Sequence, residues 1–179
     1  MSYQDVVIPH LPGSVEEFLS LREQLARTPE GGAALMPLAL LLYTQDRTIG
    51  RHCLTVAVTS SRLRSGSAGY GGFDLMPSDL ALIRSQLAAS PHVPRSYFAG
   101  TSPETGYALP PDPLTVRAGR NPNSGDDATG HCKVFLHSSG ADLPRPVLMA
   151  RNDKGIWKAE EWSSLLLGVK RPRTPTVEL

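Results

Sequence analysis

The chain has 179 residues, with 18 Lys+Arg against 17 Asp+Glu and a formal net charge of +1. Leu, Ile, Val and Phe supply 43 residues, enough for a core, which excludes a charge-extended disordered chain. The charge balance also excludes a strongly basic nucleic-acid binder, and 32 Gly+Pro residues fall short of a low-complexity sequence. The expectation is one domain over residues 4–169, with a loose tail from Lys170 to Leu179 that holds two prolines and three basic residues.

Met1–His10 carries Asp5 and no positive cluster ahead of an apolar run, so no signal peptide is expected. The longest stretch free of Asp, Glu, Lys and Arg is Gly31–Gln45. Its apolar part is too short for a bilayer and contains Pro37, so no membrane partner is expected. Two cysteines, Cys53 and Cys132, do not make a disulfide framework, and a cytoplasmic location with both thiols reduced is the default.

Residues 1–65 hold 8 Gly+Pro and residues 91–146 hold 15, which predicts helices first and short strands with turns later. Ser14-Val15-Glu16-Glu17 fits a capping box, and Val15, Phe18, Leu21 and Leu25 form one apolar stripe. Thr28-Pro29-Glu30 starts a second helix, with Thr as cap, Pro at the first position and Glu at the positive end. Ala33–Tyr43 is apolar nearly all round, so this helix is expected at the centre, kinked at Pro37. Asp46 is placed to cap a third helix through about Val58, and a fourth is expected over Pro77–Ala88. The glycines between Ser65 and Gly72 read as a flexible connector.

After Pro91 the hydrophobic period changes to two. Arg95–Ala99, Leu114–Ala118, Cys132–His137, Pro146–Arg151 and Ile156–Glu160 are strand candidates. The last two are joined by Asn152-Asp153-Lys154-Gly155, a tight-turn sequence whose glycine accepts positive φ.

Motifs for chemistry are sparse. His52-Cys53 and His131-Cys132 suggest zinc, but structural sites take spaced ligand pairs, and neighbours on a strand point to opposite faces. No metal or cofactor is expected. His137-Ser138-Ser139-Gly140-Ala141-Asp142 holds Ser, His and Asp as sequence neighbours, which rarely make a triad. Gly66, Gly69, Gly71 and Gly72 match neither the dinucleotide nor the phosphate-loop pattern. Asn121–Asp127 is rich in oxygen ligands but lacks EF-hand spacing, and reads as turns. Arg95 and Arg145 stand beside prolines that restrict the backbone, and Arg pairs with carboxylate or phosphate through two parallel hydrogen bonds. Candidate ligand or partner residues are therefore Arg95, Arg145, Asp142 and His137, with Asp142 close enough in sequence to pair with Arg145 and close the loop.

Thr28-Pro29-Glu30-Gly31, Ala39–Tyr43, Pro94-Arg95-Ser96-Tyr97 and Gly106–Pro110 resemble the pattern of an uncharacterised bacterial domain family. Its most specific segment is Ser138–Asp142 with Pro144-Arg145-Pro146, followed by Trp157-Lys158 and Trp162–Leu165. The resemblance implies a compact bacterial domain and carries no catalytic residues. The Asn152–Lys158 hairpin is also similar to the last hairpin of nuclear-transport-factor-2-like cone folds, a fold-level likeness one hairpin wide.

These readings converge on an α+β fold with N-terminal helices packed on a C-terminal antiparallel sheet, since neither half could bury its apolar face alone. A non-enzymatic domain binding a protein partner or small ligand is the expected function. The alternative is a small-molecule enzyme with a pocket between helices and sheet, using His131, His137 or Asp142.

Overall fold

The apolar run at Ala33–Tyr43 forms the centre of the molecule. The computed structural model describes residues 1–173. In it, α2 (Pro29–Gln45) has every residue from Pro29 to Tyr43 buried and continues through Pro37. The Thr28 hydroxyl accepts from the Gly31 N–H at 3.1 Å, so cap, proline and acidic first turn act together as read from the sequence.

α1 (Val15–Leu25) is capped by Ser14, whose hydroxyl accepts from Glu17 N–H at 3.2 Å. The Glu17 carboxylate reaches back to Gly13 N–H at 2.8 Å, one residue before the cap. α3 (Arg47–Ala57) starts at Asp46, which accepts from Thr48 and Ile49 N–H at 3.0 and 3.1 Å. α4 (Pro77–Ala89) buries Leu80, Ile83 and Leu87.

The sheet runs from β1 (Ser2–Ile8) through β4 (Leu114–Arg120), β5 (His131–Leu136) and β6 (Arg145–Arg151) to β7 (Trp157–Glu161), all neighbours antiparallel. Its inner face carries Ile8, Val116, Val134, Val147 and Ala159, each fully buried beneath α2. The free edge of β7 is covered by the chain itself, since Trp157 N–H donates to the Ala26 carbonyl and Thr59 N–H to the Ala159 carbonyl. A bulge in β7 places Glu160 as an extra residue opposite β6.

One strand was not anticipated from the sequence, and three sequence expectations need correction. Ser2–Ile8 is a strand, paired along its whole length with β4, although its exposure pattern hides the alternation because only Val6 and Ile8 are buried. Gly66–Gly72 belongs to a hairpin rather than a connector. β2 (Leu63–Tyr70) pairs with β3 (Phe73–Leu75) across Gly71 and Gly72, whose φ of 60° and 86° suit a two-residue hairpin turn. Arg95–Ala99 is not a continuous strand, because Val93–Tyr97 forms a 3-10 turn with Pro94 in its first positions, closed by the Ser96 hydroxyl donating to the Val93 carbonyl at 2.8 Å, and only Phe98 and Ala99 bond to β4. Lys170–Arg173 is tied to the body, with Lys170 N–H on the Gly140 carbonyl and Arg173 N–H on that of Pro103. The rest of the expected tail, 174–179, lies outside the described residues.

Among the described residues no helix is long and apolar enough to cross a membrane.

Candidate functional site

The four residues singled out by sequence fall in separate places. Asp142 and Arg145 do not pair. Asp142 is exposed and meets Lys170 Nζ at 3.1 Å, while Arg145 Nη2 donates to the Gly168 carbonyl at 3.1 Å. Both are drawn to the C-terminal segment, which lies over the Ser138–Pro146 loop and also accepts a bond from Tyr107 Oη at the Lys170 carbonyl, 2.5 Å away. The prolines around Arg145 thus present it to a backbone carbonyl rather than to Asp142.

Arg95 lies in the Val93–Tyr97 turn, half-buried, with no side-chain hydrogen bond or ion pair among the described residues. His137 stands apart from these, in a small cleft of about 270 Å³ with Thr101, Arg117 and Ser139. Burial and the Arg117 charge hold its imidazole below the usual value. The neighbouring hydroxyls are engaged elsewhere: Ser138 donates to Ser96 Oγ at 2.8 Å, and Ser139 and Thr101 share a bond of 2.9 Å.

His131 is exposed and Cys132 buried, on opposite faces of β5. Burial pushes the Cys53 thiol up to about 12 and the Cys132 thiol up to about 11, so neither is a ready thiolate. Among the described residues no three His, Cys, Asp or Glu side chains come together as a metal-ligand set. Asp127, from the oxygen-rich loop, instead joins buried Glu30 around the Arg120 guanidinium. That cluster ties the first turn of α2 to the end of β4.

One opening was not suggested by the sequence. A cleft of about 720 Å³ lies where α1, the α3–β2 connection and the β6–β7 hairpin meet. The Thr59–Ala159 backbone bond brings the hydroxyls of Thr59, Ser60 and Ser61 beside β7. Lys158 stands on the outer face of β7, half-buried, and forms no ion pair or side-chain hydrogen bond among the described residues. Burial, helped by the charges of Arg22 and Lys154, pushes its amine down to about 8.

Around Lys158 the two arginines are anchored. Arg22 donates to the Val56 carbonyl at 3.2 Å and to Glu23 at 3.0 Å, while its buried Nε has no partner among the described residues. Arg151 lies 5.4 Å from the Trp157 ring centroid, a cation–π distance. Of the carboxylates lining the cleft, Glu23 is shared by Arg22 and Arg27, Glu160 lies 3.9 Å from His131, and Asp153 is exposed in the β6–β7 turn. The cleft therefore offers a cation, Lys158, that forms no ion pair among the described residues, with hydroxyl donors nearby.

A family model described as a domain of unknown function, DUF6935, matches residues 10–173, and the chain belongs to that family. No curated protein and no solved structure matches the chain, the cone folds likened to its last hairpin included.

Proposed function

We propose that this chain is a small-ligand-binding domain whose cleft beside β7 receives a small ligand with an acidic group. The observation that carries this reading is the half-buried, unpaired Lys158 in a cleft flanked by Arg22, Arg151 and Lys154. A desolvated cation without a counter-charge is unfavourable, and an anion entering the cleft removes that cost. The hydroxyls of Thr59, Ser60 and Ser61 supply the neutral donors that orient such a ligand. The same reading assigns the protein to a bacterial cytoplasm, in keeping with two buried, unbridged cysteines.

An enzymatic reading rests on the same residue. An amine with a value near 8 is partly neutral at pH 7.5 and is then a nucleophile, which an ordinary lysine is not.

The test is a thermal-shift and titration screen of small mono- and dicarboxylates against the wild type and Lys158→Gln. Lys158 is cationic below its value and neutral above it. Affinity is therefore expected to hold below about pH 7 and to fall as pH rises through about 8. Equal affinity in Lys158→Gln, or a flat profile from about pH 6.5 to 9.5, would overturn the binding reading. Trapping of a carbonyl compound on Lys158 by borohydride would favour the enzyme.

A further inference from the structure

A second cleft, on the far side of α3, has a different chemistry. It measures about 580 Å³ and is lined by Arg47, Arg51 and His52 of α3, Arg84 of α4, Tyr43 of α2 and Ser67 of β2, among others. No aspartate or glutamate lines it. We propose that this cleft binds a small phosphate-bearing ligand, a phosphomonoester or free phosphate, held by Arg47, Arg51 and Arg84.

Three observations support this. First, Arg47 and Arg84 are exposed and form no ion pair or side-chain hydrogen bond among the described residues. Both also border an adjoining pocket of only about 80 Å³ beside Leu87 and Pro91. Arg47 and Arg84 thus border the same small space, with no carboxylate among the residues lining it, and an anion there offers a counter-charge to both.

Second, Arg51 is fixed in advance. Its Nε and Nη2 donate to the two oxygens of Asp74 at 2.9 and 2.5 Å, and Asp74 is only 2% exposed. The remaining nitrogen, Nη1, has no protein partner among the described residues, so its donors are free for a ligand without any reordering of the side chain.

Third, the wall opposite α3 is seated by close contact. A Cβ on Gly69 would stand 2.1 Å from the Phe73 carbonyl oxygen and 2.6 Å from Thr55 Oγ1, so β2 lies against α3 at a separation only glycine permits. The cleft is therefore a built concavity between packed elements. Phosphate fits it better than a carboxylate, because its several acceptor oxygens can engage Arg47 and Arg84 together with the free Nη1 of Arg51. A concave space of this size favours a small ester over a flat bilayer surface.

The test is isothermal titration with inorganic phosphate and with glycerol 3-phosphate at fixed ionic strength. One comparison protein is Arg47→Ala/Arg84→Ala, and the other is Lys133→Ala/Arg171→Ala, which loses equal charge elsewhere. The expected result is saturable one-to-one binding by the wild type and the control, weakened at least about tenfold in the arginine double variant. In the wild type, phosphate is also expected to slow phenylglyoxal labelling of Arg84, a readout that needs no variant to fold. The proposal is overturned by an absence of saturable binding, by equal weakening in both double variants, or by unprotected Arg84. Binding to phosphatidate vesicles with none to the free esters would also overturn it.

Discussion

Replacing Asp74 by alanine tests how the glycine-rich hairpin is held on α3. The side chain is 2% exposed and accepts two charge-assisted bonds from Arg51 and one from its neighbour Leu75 N–H at 2.8 Å. Breaking a fully buried ion pair costs about 3–5 kcal/mol. Arg51, however, is 24% exposed, so its released guanidinium regains some water, and the expected loss is about 2–4 kcal/mol. With a urea dependence of about 2 kcal/mol per molar, the denaturation midpoint should drop by about 1–2 M at pH 7. Arg51 holds the Asp74 carboxyl below its ordinary value. A depressed carboxylate contributes its full stability above the unfolded-state value of about 3.9 and loses it as pH falls through the folded value. The gap between wild type and Asp74→Ala should therefore be widest at neutral pH and narrow below about pH 4. A midpoint change worth less than about 0.5 kcal/mol at pH 7 would refute the reasoning, as would a gap that stays constant down to about pH 3.

Leu41, fully buried in α2, should cost about 2–5 kcal/mol on truncation to alanine in the same urea assay, and a near-zero change would remove α2 from the centre of the fold. Arg145→Ala removes the bond to the Gly168 carbonyl and should lower stability by about 1 kcal/mol. It should also speed amide hydrogen exchange at Lys170, whose N–H is held by the Gly140 carbonyl, and unchanged exchange there would mean that Arg145 does not fasten the C-terminal segment.

Helices were legible because their signals are local. Ser14, Thr28 and Asp46 each cap the helix they precede, and the apolar run that follows Thr28 is the buried one. Strands were legible where one face is buried in strict alternation, as in His131–Leu136. They failed where the pattern depends on distant partners. Ser2–Ile8 shows its alternation only at Val6 and Ile8, because β1 is an edge strand whose first four residues are all exposed. The Gly66–Gly72 run has no hydrophobic period at all. It is held as a strand by Arg51–Asp74 and by the close approach of Gly69 to α3, neither of which adjacent residues encode. Arg95–Ala99 looked extended because of its composition, yet Pro94 and the Ser96 hydroxyl close a turn there.

The candidate sites were less legible, for a related physical reason. Sequence reasoning favours residues that stand out locally, such as Arg145 between two prolines. Local restriction says that a side chain is held, not what it is held against, and here the partner is the carbonyl of Gly168, twenty-three residues away. Lys158 has no such local mark, since Trp157-Lys158-Ala159-Glu160 reads as an ordinary alternating strand with its charges in water. Its half-buried state arises only because Arg22 of α1 and Thr59–Ser61 are brought over the outer end of β7, by the bond from Thr59 N–H to Ala159 among others. The arginines at 47, 51 and 84 are likewise unremarkable in sequence, each on a helix face where a basic residue is expected to be solvated. What distinguishes them is the absence of any carboxylate among the residues lining their cleft, while Asp74, the acid paired with the set among the described residues, orients Arg51. An unanswered charge is a property of the assembled surface, so it becomes visible only after the ion pairs of the whole fold have been assigned.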